Sequence, residues 1–163
     1  MEEHTDARIA SRQDVGVGGL GKVRARRAEL HRAILSVELA LARPAARPDW
    51  LAGVSAALAS LRLAFGEHVA ITEGRDGLFE QILADVPRLE GAVRRLRAEH
   101  VDLHDGLSAA VVRLHKASRA PTPAAADLRR AILPLLGRFV RHRQRGADLL
   151  YEAYEVDIGG SAD

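Results

Sequence analysis

Cysteine is missing from this chain. Disulfides, thiolate metal ligands and cysteine nucleophiles are therefore excluded. Aromatic residues supply only 4% of the sequence, too few for the stacking platforms that bind single-stranded nucleic acid. No apolar run approaches the ~20 residues of a membrane span. The opening "MEEHTDARIASRQ" is polar and lacks the hydrophobic stretch of a signal peptide, so the cytoplasm is the expected location. No segment alternates with a period of two and β-branched residues are few, so strands are not expected. The P-loop, Rossmann and HExxH signatures are absent. "VGVGGLG" has no preceding strand and no Lys-Ser/Thr ending, which leaves a flexible segment. No serine stands in a strained turn beside a core histidine, so Ser-His-Asp chemistry has no support.

What the chain does have is arginine, alanine and leucine in long periodic stretches. Its 163 residues are 47% hydrophobic, enough for one domain with a real core. The formal net charge is only +2, although the pI is near 9.5. Basic clusters such as "KVRARR" and "RHRQR" are interspersed with acids along most of the chain. They read as solvated helix faces with snorkelling arginines rather than a nucleic-acid surface. No nucleic-acid or membrane partner is expected; a protein partner is left open.

Residues 1–18, His4 included, read as a flexible lead-in, 19–160 as a helical bundle and 161–163 as a short tail. The first helix is expected from about Leu20 to Ala42, with Val23, Leu30, Ile34, Val37 and Leu41 on one face. "RPAARPD" breaks it. A second helix from Pro48 or Asp49 carries Leu51, Val54, Leu58, Leu61 and Phe65, and Gly74 suits its C-cap. "GRDGLFEQILADVP" is a connector with about two helical turns. The third helix begins around Pro87 and shows Leu89, Val93, Leu96, His100, Leu103, Leu107, Val111 and Leu114. The fourth runs from about Ala124 towards Ile158, with Pro134 kinking it or tightening its first turns and Gly159 and Gly160 ending it. Four amphipathic helices with modest loops predict an all-α, antiparallel up-down-up-down four-helix bundle. At its end, Tyr151 and Tyr154 are expected to pack against the connector, with Arg88 as one candidate partner for the acids there.

Seven histidines occur, and five fall on or beside the apolar faces: His31, His68, His100, His104 and His142. Each helix thus contributes at least one imidazole towards the core, with His100 and His104 one turn apart. Converging neutral imidazoles suit Fe, Zn, Ni or Cu, with Glu38, Glu67, Glu99 and Asp102 available to accept from their outer ring nitrogens. The bland alternative is a set of structural histidines bonded to one another and to nearby acids.

The order of His31, then His68, then "HVDLH" as HxxxH, then His142 resembles the hemerythrin and HHE cation-binding families over about residues 20 to 158. The resemblance implies ligands at those five histidines, a non-haem di-iron centre, and reversible binding of dioxygen or a related small oxidant such as nitric oxide or peroxide. The family pattern has HxxxE on the second helix; here Thr72 stands at that place and Glu73 one step later. On the fourth helix the family's carboxylate falls four or five residues after the histidine, where this chain has Gly146 and Ala147 and then Asp148, with Glu152 further on. Five neutral imidazoles around two divalent ions would bury about four positive charges. A di-iron site therefore requires Glu73 and either Asp148 or Glu152. A single-metal histidine site, a metal-free bundle serving as an interaction or regulatory module, and a di-iron oxygen-activating enzyme stand as alternatives.

Overall fold

The computed structural model describes the backbone of residues 3–120 and 125–154, and side chains from residue 19 onward. Among the described residues it is all-helical: α1 Glu3–Ala42, α2 Trp50–Glu73, a short α3 Leu78–Asp85, a 3-10 turn Pro87–Leu89, α4 Glu90–Ser118 and α5 Ala125–Tyr154. The four long helices and the helical connector are those the periodicity predicts. One boundary differs. α1 begins at Glu3 rather than near Leu20, so the stretch expected as a flexible lead-in has helical backbone. Gly159, Gly160, Glu155 and Asp157 lie outside the described residues.

The stripes are buried as their spacing requires. Leu30, Ile34, Val37 and Leu41 of α1 pack with Val54, Leu58, Leu61 and Phe65 of α2, Leu103, Leu107 and Leu114 of α4, and Leu128, Ile132 and Phe139 of α5. Leu51 and Val111 are half-buried at the margins. A second apolar cluster fills the other end, with Val23, Leu78, Phe79, Ile82, Leu96 and Leu149. Tyr154 packs against it while Tyr151 is exposed, so one of the two expected tyrosine contacts forms. Burial raises the Tyr154 phenol above its ordinary pKa, with a smaller push from the Asp85 carboxylate. α5 runs through Pro134 without a break. The proline faces solvent, so water can serve the carbonyl its ring leaves unbonded.

α2 is the most apolar helix. By length and composition the stretch Trp50–Asp85 reaches a mean hydropathy of 1.3 over 18 residues, enough to cross a membrane, where the sequence reading finds no such run. A core helix meets the same measure, and here its apolar stripe is buried by α1, α4 and α5.

The α2–α3 connector matters for the site. Asp76 adopts a left-handed conformation at φ 56°, and its N–H donates to Glu80. A Cβ on Gly77 would meet the Thr72 carbonyl oxygen at 2.8 Å, so only glycine fits this close return of the chain. The turn brings α3 back over the end of α2 and inserts Phe79 into the bundle.

Candidate metal centre

The two apolar clusters are separated by a polar layer, and its register is set by the helices themselves. His68 follows Phe65 by three residues, His100 lies between Leu96 and Leu103, and His142 follows Phe139 by three. Each imidazole therefore occupies a stripe position where the other turns carry apolar groups. All three are buried. The Nε2 atom of His142 lies 3.3 Å from that of His68 and 3.1 Å from that of His100. One ring nitrogen from each residue falls within 4.8 Å of the other two. Among the described residues this is the one such grouping of potential ligands.

Aromatic rings hold the imidazoles in place. Phe65 stacks on His68 at 6.3 Å and 19°, and Phe79 stacks on His100 at 5.9 Å and 15°. Phe139 meets Phe65 edge-on at 5.1 Å. The three phenylalanines of the chain thus all border this layer.

The outer nitrogens fix the tautomers. His142 Nδ1 donates to Glu99 Oε2 at 2.9 Å, and Arg145 donates to the other oxygen of Glu99 at 2.7 Å. His100 Nδ1 donates to Glu73. A proton on Nδ1 leaves Nε2 as a bare lone pair in both rings, and these lone pairs face each other across 3.1 Å. His68 can donate one proton inward, but it cannot also relieve that contact; its own Nδ1 is buried without a partner. A cation between the rings removes the repulsion.

A proton is a poor candidate for that cation. Burial, reinforced by the neighbouring imidazoles, pushes His68 down to about 3, and burial with His142 pushes His100 down to about 3. His142 is lowered too, chiefly by burial, although Glu99 pulls the other way. The three rings are neutral at physiological pH, the form that ligates metals. Ligands about 2.0–2.1 Å from a tetrahedral ion sit roughly 3.3–3.4 Å apart, close to the two observed separations. All-nitrogen donors favour a first-row transition ion over calcium or magnesium. Glu73 and Glu99 supply two negative charges just outside the rings, which offsets a divalent ion. Burial raises Glu73 above the ordinary carboxylate pKa, while Arg97 and His142 draw it back.

Of the residues the sequence singles out, His68, His100 and His142 come together. His31 and His104 do not. Both are exposed, because each lies one residue past a stripe position (Leu30 and Leu103), and one residue turns a helix by about 100°. His104 is instead 3.6 Å from the carboxylate of Asp105. Asp148 is exposed and accepts from Gln144 at 2.9 Å, and Glu152 is exposed as well. Glu73 reaches the site, where it accepts from His100 Nδ1. Thr72, at the place of the family carboxylate, is buried and donates to the His68 carbonyl oxygen at 2.8 Å. Among the four acids suggested for the outer ring nitrogens, Glu99 takes that role. Glu67 instead accepts from Arg26, and Glu38 and Asp102 are exposed.

Sequence reasoning missed Arg27. It lies four residues after Val23 and three before Leu30, the one vacant place in the α1 stripe, so α1 brings a guanidinium to the layer where a histidine is expected. It lines a small apolar-walled cavity with His68 and His142. The cavity leaves about 20 Å³ for the centre of a water-sized molecule, enough for one water or diatomic.

Glu99→Gln is expected to weaken metal binding by roughly 10- to 100-fold, the usual cost of losing a carboxylate that orients a ligating histidine. Competition titration against a chromophoric chelator measures this; an unchanged affinity would deny Glu99 that role.

Comparison with protein-family models, with curated proteins and with solved structures gives no match.

Proposed function

We propose that the bundle holds one transition metal ion on His68, His100 and His142 and uses the remaining coordination positions to bind a small oxidant such as dioxygen, nitric oxide or peroxide. The observation that carries this reading is the convergence of three Nε2 atoms while the Nδ1 atoms of His100 and His142 are held by carboxylates. The hemerythrin-like resemblance enters in reduced form: an up-down antiparallel bundle and a non-haem iron site, with one ion rather than two. Exposure of His31, His104 and Asp148 takes three expected ligands away from a second iron. One divalent ion with three neutral imidazoles is offset by Glu73 and Glu99, whereas a diiron pair is not. The small cavity beside the rings suits a diatomic and gives no room to an organic substrate, which sets the oxygen-activating enzyme behind a binding or sensing role. Iron is the expected ion, since zinc has no redox chemistry with which to meet an oxidant.

Metal analysis of purified protein, followed by reconstitution of the apoprotein with Fe(II), Co(II) or Zn(II), tests the reading. The expected stoichiometry is one ion per chain. At a free-ion concentration about 100 times Kd, binding stabilises the fold by about 2.7 kcal/mol, which raises the melting temperature by roughly 5–10 °C. No uptake would remove the proposal; two ions per chain would restore the di-iron form.

A further inference from the structure

Two arginines border the cavity beside the histidines, and neither has an acidic partner among the described residues. Arg27 of α1 and Arg143 of α5 both line it with His68 and His142. Arg27 donates only a long contact, 3.5 Å, to the backbone oxygen of Arg143. The Nε of Arg143 is buried with no hydrogen-bond partner. Two of their neighbours in the same basic clusters are compensated. Arg26 pairs with Glu29 and Glu67, and Arg145 with Glu99. A buried, unpartnered guanidinium nitrogen is costly, and a second positive charge beside it adds repulsion.

Their position decides what they are for. A divalent ion on the three imidazoles brings two further positive charges to a cavity already bordered by two arginines. Glu73 and Glu99, outside the rings, offset the ion itself, and the two arginines keep their charge on the cavity side. Charge balance on the cavity side is therefore left to a ligand.

Resting on the single-metal reading, we infer that the ligand of this site is a compact monoanion. One of its atoms completes the metal's coordination, and another accepts from Arg27 and Arg143. The cavity has room for little more than a diatomic, which restricts the ligand to short anions of the class of hydroperoxide, azide and nitrite, and the arginine pair favours these over a neutral diatomic.

The test uses the full chain loaded with Co(II), whose visible absorption reports the ion's coordination. Metal uptake is measured first. Azide, then nitrite, is titrated into the loaded wild type, Arg27→Gln, Arg143→Gln and, as a control, Arg24→Gln, which changes an exposed arginine of the same helix. The expected result is a spectral shift in the wild type, with anion affinity reduced roughly ten- to a hundredfold in each cavity variant and unchanged in the control. Equal affinity in the cavity variants that still load Co(II), or no shift with either anion, would overturn the inference and leave the metal site standing. Failure of the wild type to take up Co(II) would overturn the metal reading and this inference with it.

Discussion

Replacing His142 with alanine is expected to abolish metal binding at micromolar ion concentrations, a loss larger than the roughly 10- to 100-fold that follows removal of an outer carboxylate. His142 is the ring whose Nε2 is within hydrogen-bonding distance of both other Nε2 atoms, so its loss leaves two ligands with no neighbour between them. His68→Ala and His100→Ala are expected to follow it. His31→Ala and His104→Ala should keep full affinity and change stability by less than about 0.5 kcal/mol, as exposed substitutions away from special features do. Equilibrium dialysis with Zn(II) or Co(II) across the five variants gives the answer. Retained binding in His142→Ala, or lost binding in His31→Ala, would place the ion elsewhere.

Acidification should destabilise the metal-free protein by several kcal/mol before any surface carboxylate matters. His68 and His100 titrate at about 3 in the folded state against an ordinary 6.5. Between those values the unfolded chain binds more protons than the folded one, so stability falls as pH drops through that window. At about 1.4 kcal/mol per pH unit for each group, the two together cost on the order of 4 kcal/mol by pH 5. His142 is shifted in the same direction. Glu73 works in the opposite sense, because its pKa is raised, but it is a single, partly exposed group. The melting temperature should therefore fall by on the order of 10 °C between pH 7 and pH 5, and further with metal bound, since protonation expels the ion. A flat melting temperature over that range would mean the rings are neither buried nor neutral as the fold has them.

Much of the fold was legible because helical periodicity is a strong signal. Every stripe residue named for α1 is buried, and the stop at "RPAARPD" and the C-cap at Gly74 fall where expected. The site was half legible. His68, His100 and His142 stand at stripe positions, whereas His31 and His104 each directly follow one (Leu30 and Leu103), and that register separates the two sets. Counting histidines near a face, instead of on it, admitted the two exposed ones. Arg27 had the opposite fate. It sits in perfect register between Val23 and Leu30, but the reading of "KVRARR" as a solvated cluster concealed it. The outer carboxylates were harder, because Glu73 and Glu99 reach histidines 27 and 43 residues away, and only the three-dimensional packing of α4 against α2 and α5 pairs them. Phe79 was out of reach for the same reason: its place over His100 depends on the left-handed turn at Asp76.

An ion on the three converging rings would also tie together distant parts of the polypeptide. His68 and His142 are 74 residues apart in sequence, and an ion held by both closes nearly half the chain into one loop. Such a clasp raises stability by restricting the unfolded chain as well as by bonding the folded one. It grips at the midline, between two oily ends that cohere without it. Loss of the ion would then loosen the waist of the molecule first, and the cavity bordered by Arg27 and Arg143 lies at that waist.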